Sequence, residues 1–97
     1  MEKGTSEYAE DWTSENNLIN HFNKHGRSMG YKTINEYAKG ARNTARNSNN
    51  LSGRTKDGKT IVYDPDSNEI VIINGSGRTI TYFSPDRGIN YYYDQFD

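Results

Sequence analysis

Apolar positions recur at helical spacing in the first half of the 97-residue chain and alternate like strands after Gly58. Residues 1–11 show no period and are expected as a loose lead-in. From Trp12 the pattern is helical: Thr13 or Ser14 can cap the start, Glu15 suits the first turn, and Leu18, Ile19 and Phe22 form an apolar stripe. Gly26 is the expected C′ residue, taking the left-handed conformation that closes a helix. A second helix begins at a capping box, Thr33 with Glu36 three residues on, and carries Ile34, Tyr37, Ala38, Ala41 and Ala45 inward. Gly40 weakens this helix without breaking it, and Lys39, Arg42 and Arg46 fall on its outer side. Asn47 to Gly53 reads as a polar loop.

The second regime predicts strands. Thr60–Asp64 and Glu69–Ile73 are β-rich runs joined by the turn signal Pro65-Asp66-Ser67-Asn68. Asn74-Gly75-Ser76-Gly77 turns again into Arg78–Phe83, and Ser84 to Gly88 leads to Ile89–Phe96, expected as the last strand with Tyr92 facing away from Tyr91 and Tyr93. The order predicts a single α+β domain over residues 1–97, helical over 12–47 and sheet over 58–96. Two N-terminal helices should pack on one face of a four-stranded antiparallel meander and leave the other face free for a ligand or partner.

Composition changes this picture little and charge changes it more. At 31% hydrophobic the core must be modest, and the eight tyrosines supply much of it. There is no cysteine, so no disulfide is needed, and no apolar run is long enough for a signal peptide or a membrane span. The net charge of −1 hides a partition. Residues 1–20 and 61–97 are each net −4, whereas residues 21–60, with Lys24, Arg27, Lys32, Lys39, Arg42, Arg46, Arg54, Lys56 and Lys59, are net +7. A basic middle that starts at the histidines suits a polyanion, since local potential steers a ligand more than net charge does. Solvated faces of a polar protein are the plainer reading of the same charges.

The two histidines, His21 and His25, are four residues apart with Lys24 between them, which places both imidazoles on one helix face. Imidazole accepts and donates a proton near neutral pH, so a pair beside a cation suits metal-independent phosphodiester chemistry. A histidine at a helix C-terminus also complements the dipole, and His21 against the sheet would be an ordinary half-buried ring. Zinc is not expected: the residues between the pair are Phe22-Asn23-Lys24, without the glutamate of the zinc-protease pattern. No cofactor is called for.

The runs His21-Phe22-Asn23-Lys24-His25-Gly26, Tyr37-Ala38-Lys39-Gly40-Ala41, Tyr63-Asp64, Val71-Ile72-Ile73 and Arg78-Thr79-Ile80-Thr81-Tyr82-Phe83-Ser84-Pro85 together resemble toxin domains of the barnase/EndoU/colicin/RelE-like ribonuclease fold. The similarity is strongest to colicin D-like domains and to C-terminal toxin domains of bacterial contact-dependent inhibition proteins. It implies an endoribonuclease, in many members acting on tRNA, delivered into the cytoplasm of a neighbouring bacterium as the C-terminal piece of a larger secreted or surface polypeptide. A cognate immunity protein would restrain it in the producer. Carried over by position, the histidine–lysine motif falls on His21, Lys24 and His25, and the threonine–aromatic motif on Thr79, Thr81 and Tyr82.

Under that reading the histidines act as base and acid, and cleavage leaves a 2′,3′-cyclic phosphate. Lys24, with Arg54, Lys56 or Arg78, would balance phosphorane charge, and Arg42 would add to the basic surface. Thr79, Thr81 and Tyr82 would orient phosphate oxygens, the two threonines sharing one strand face opposite Ile80, and Tyr63 or Tyr82 would donate a proton or stack on a base. The competing reading is a non-catalytic module that binds protein or nucleic acid.

Overall fold

The computed structural model describes residues 8–97. The expected lead-in lies largely outside them, and its described end, Ala9–Asp11, is a short 3-10 turn. Helix α1 spans Glu15–His21 and continues through a wider π-helical turn, Phe22–Gly26; α2 spans Ile34–Arg46. Four strands follow, β1 Leu51–Arg54, β2 Thr60–Asp64, β3 Glu69–Ile73 and β4 Thr79–Phe83, and then a short helix α3, Ile89–Asp94. The sheet is an antiparallel meander in the order β1-β2-β3-β4.

Both N-terminal helices begin at the side-chain caps the sequence offers. Ser14, rather than Thr13, accepts the Asn17 amide at 3.0 Å, and Thr33 accepts that of Glu36 at 3.1 Å. Gly26 does not close α1. It is buried inside the π turn, where a Cβ would stand 2.6 Å from the Phe22 ring and 2.8 Å from that of Tyr37. The left-handed residue comes four positions later, at Gly30 (φ 97°). Gly40 also has a packing reason: it leaves room for the Tyr31 and Tyr82 hydroxyls against α2.

The helices α1 and α2 pack on one sheet face over Trp12, Leu18, Phe22, Tyr37, Ala38, Ala41, Val71 and Tyr82. The opposite face is not free. Ile61, Tyr63, Ile70 and Ile72 are covered there by Tyr92 of α3, with Tyr91 and Phe96 alongside. Ile89–Phe96 therefore contributes a helix where alternation predicts a strand. Helical spacing puts Tyr92 and Phe96 on one side, ring centroids 5.0 Å apart, and lays Tyr92 on Tyr63 at 5.9 Å. Burial of these rings overrides the β preference of a tyrosine run. The fourth strand is instead β1, drawn from the expected polar loop. Its Gly53 admits the Phe96 ring, which a Cβ would meet at 2.9 Å.

The free edge of β4 is covered by the start of the chain. Trp12 bridges Thr79, the Thr13 amide donates to the Thr79 carbonyl at 3.1 Å, and Asn17 Nδ2 donates to the Ile80 carbonyl at 2.9 Å. A bulge interrupts β4: Thr79 faces Ile73 and Thr81 faces Ile72, leaving Ile80 as the extra residue. Ile73 packs on the helical core and Ile72 belongs to the second core, so the two threonines are not on one face as simple alternation predicts.

Candidate active site

His21 closes α1 and His25 sits on the π turn, and they lean over Thr81 and Phe83 of β4. Thr81 Oγ1 lies 3.0 Å from His21 Nδ1. The His25 ring stacks on Phe83 with centroids 5.1 Å apart, and the two imidazoles are 5.6 Å apart. Trp12 flanks His21 at 5.8 Å, and Tyr91 meets the far edge of Phe83 at 5.3 Å. The helix fixes the spacing of the pair, and the bulge turns Thr81 toward it. Phe83 was legible only as a strand aromatic, because nothing in the sequence says which ring it meets.

Burial lowers the pKa of both histidines, reinforced at His21 by the charges of His25 and Lys24 and at His25 by that of Lys24. Each imidazole therefore favours its neutral, proton-accepting form more than a free histidine does. Thr81 holds one His21 nitrogen and leaves the other for exchange; the direction of that hydrogen bond follows the tautomer. His25 opens onto a cleft of about 330 Å³ whose other walls include Ser28, Ser67, Glu69, Ser84 and Asp86. Lys24 is exposed on the turn between the histidines, and Arg27, one residue past that turn, lies 4.7 Å over the Phe22 ring.

The remaining sequence candidates lie elsewhere. Thr79 is buried in a second depression with Asp11, Arg42 and Arg46. Tyr82 is fully buried. Its hydroxyl donates to Glu69 Oε1 at 2.8 Å and sits 2.7 Å from that of Tyr31, while its carbonyl accepts from Tyr37. It cannot meet a phosphate without unpacking the core, and burial, reinforced by its Tyr31 and Glu69 contacts, raises its pKa well above that of an ordinary tyrosine. Tyr63 is buried under α3 and donates to Asn68 Oδ1 at 2.6 Å, so it too is structural. Arg42 is bidentate to Asp11, at 2.8 and 3.0 Å, and lies 4.5 Å over Tyr8. Arg78 reaches the Trp12 carbonyl at 3.4 Å from the turn before β4.

Arg54 and Lys56 belong to the β1–β2 hairpin, at the opposite sheet edge from Thr81. Three strand spacings amount to about 14 Å, so these bases do not line the histidine site. The basic middle of the sequence is thus divided among a salt bridge, a distant hairpin and the histidine turn. Among the described residues, no group of three or more His, Cys, Asp or Glu side chains gathers as a metal-holding cluster.

No protein-family model and no curated protein matches the chain. A solved structure does: a ribonuclease from Escherichia coli complexed with its inhibitor protein, with a TM-score of 0.60 at 17% identity, covering 78% of this chain and 95% of that one. The chain has a ribonuclease's fold. The α+β architecture expected from the sequence, with its antiparallel four-stranded sheet, is the one observed, although Ile89–Asp94 is a helix where a strand is expected and Leu51–Arg54 a strand where a loop is expected.

Proposed function

We propose that the chain is a metal-independent endoribonuclease toxin domain whose chemistry is carried by His21 and His25. The observation that carries this reading is the juxtaposition of two partly desolvated imidazoles, His21 tied to Thr81 and His25 stacked on Phe83 and lining a cleft. The ribonuclease fold supports it independently.

In the proposed reaction neutral His25, which lines the cleft, takes the proton from a ribose 2′-OH. The 2′ oxygen attacks phosphorus, and the bond to the 5′ oxygen breaks. His21 starts protonated and gives its proton to that leaving oxygen. The products are a 2′,3′-cyclic phosphate and a 5′-OH, and one proton has moved from His21 to His25 by way of the substrate. Rings 5.6 Å apart suit this exchange, since a charge on either lowers the other's proton affinity. Lys24 supplies positive charge to the phosphorane, and Thr81 fixes the His21 ring.

By the same reading the substrate is RNA, with tRNA the leading class, and a cognate immunity protein silences the domain until a larger secreted or surface protein delivers it into a target bacterium. Purified protein should cleave RNA in excess EDTA and leave 2′,3′-cyclic phosphate ends. An absolute divalent-ion requirement with 5′-phosphate products would contradict the mechanism. Sequencing RNA ends from intoxicated cells tests the substrate class.

A further inference from the structure

His21 is held from three sides. Thr81 Oγ1 lies 3.0 Å from its Nδ1, the His25 ring is 5.6 Å along the helix, and the third side is Trp12, with ring centroids 5.8 Å apart. Trp12 belongs to neither α1 nor the sheet; it sits on the segment that leads into them. It is fully buried, and its other neighbour is Tyr37 of α2 at 5.7 Å, so the indole is a wedge between His21 and the helical core. Its Nε1 meets no acceptor among the described residues. An unpaired buried donor is costly, so a hydrogen bond is not what places this ring. A phenyl ring would avoid that cost, but it is narrower than the indole that spans both neighbours. The segment around Trp12 is latched at several points. Arg42 donates to both Asp11 carboxylate oxygens, at 2.8 and 3.0 Å, and its guanidinium lies 4.5 Å over the Tyr8 ring. Trp12 bridges Thr79, and Asn17 Nδ2 reaches both Thr13 Oγ1 at 2.8 Å and the Ile80 carbonyl at 2.9 Å.

We propose that Trp12 is a positioning residue for the reaction: held by this strap, its indole packs His21 against Thr81 and keeps water from that side of the imidazole. The inference rests on the histidine ribonuclease reading above. An imidazole that must hand its proton to the leaving 5′ oxygen loses rate when its ring can swing, since a misplacement of about 1 Å costs up to about a hundredfold. Burial is also the first cause that lowers the His21 pKa, and Trp12 is the fully buried ring against it. The charges that bear on His21 are those of His25 and Lys24 on the turn after it; β4 and the strap bring Thr81 and Trp12, which carry none. The indole and imidazole planes are tilted by 42°, so shielding from water outweighs the attraction of the indole face for an imidazolium.

Trp12→Phe tests this with and without cleavage. In an NMR titration of the two imidazoles, His21 should protonate at higher pH in the variant than in wild type, and His25 should move less. On a short single-stranded RNA, kcat should fall about tenfold or more while KM stays within about threefold. In a His21→Ala background the same substitution should change the rate by no more than about twofold, because the group it positions is gone. A ring that merely supports the fold would instead lower the rate alike in both backgrounds. An unmoved His21 titration, an unchanged kcat, or equal losses in the two backgrounds overturns the positioning role and leaves the ribonuclease reading standing. If circular dichroism shows that Trp12→Phe does not fold, Asp11→Ala, which releases the latch beside Trp12 and leaves the core side chains in place, decides by the same readouts. Absence of any cleavage by wild-type protein overturns the ribonuclease reading and the positioning role with it, whatever the titration shows.

Discussion

At the scale of single residues, the chemistry proposed for the two histidines follows from their partial burial. Burial depresses both pKa values, and Lys24 adds to the effect at each. A reaction that needs one neutral and one protonated imidazole runs fastest between the two macroscopic pKa values. Both lie below the ordinary histidine value of 6.5, so the pH profile of kcat/KM should be a bell with its maximum below pH 6.5. A maximum at pH 7 or above would contradict the pairing. The same shifts act on stability with a definite sign. The unfolded chain binds these protons more readily than the folded one, so stability should be fullest above pH 6.5 and decline as pH falls through 6.5 toward the lower folded values. Residue type made the histidines and Lys24 legible as candidates, but it could not distinguish Tyr82 and Tyr63 from ligands of phosphate. The Tyr82 hydroxyl is committed to Glu69 on the neighbouring strand and that of Tyr63 to Asn68 across its own hairpin turn, and residue type alone reveals neither contact.

At the scale of elements, the bulge in β4 decides which threonine serves the site. It sends Thr79 toward the helical core and Thr81 to His21. Thr81→Val keeps the shape and removes the hydroxyl, a loss of about 0.5–1.5 kcal/mol and so roughly a two- to tenfold fall in kcat/KM. Thr79→Val should retain wild-type activity. Equal activity in both variants, measured beside their melting curves, would remove Thr81 from the account. Local signals read the helices and the two central strands well: Ser14 and Thr33 cap as their positions suggest, and β2 and β3 keep the expected bounds. The reading failed where tertiary packing supplied the deciding energy. Ile89–Asp94 is helical because Tyr92 and Phe96 must both reach the second core, and Leu51–Arg54 pairs because Gly53 lets Phe96 approach. Neither contact is local, so neither shows in a window of sequence.

At the scale of the whole molecule, a meander clad on both faces leaves its two histidines at one edge. The helices cover one face, α3 covers the other, and the chain from Trp12 to Asn17 closes β4 while α1 brings the histidines over it. The fold class was readable from the order of helical and alternating segments, and the ribonuclease likeness agrees with it. Charge was a poorer guide, because the basic segment is divided among the Arg42–Asp11 pair, the β1–β2 hairpin and the histidine turn. The central claim is that the histidine pair does the chemistry on this scaffold. Ribonuclease activity of purified His21→Ala and His25→Ala, measured beside wild type with circular dichroism on each, tests it most directly. Loss of a general acid or base should lower cleavage by at least about a hundredfold with folding retained, and wild-type rates from both variants would contradict the account.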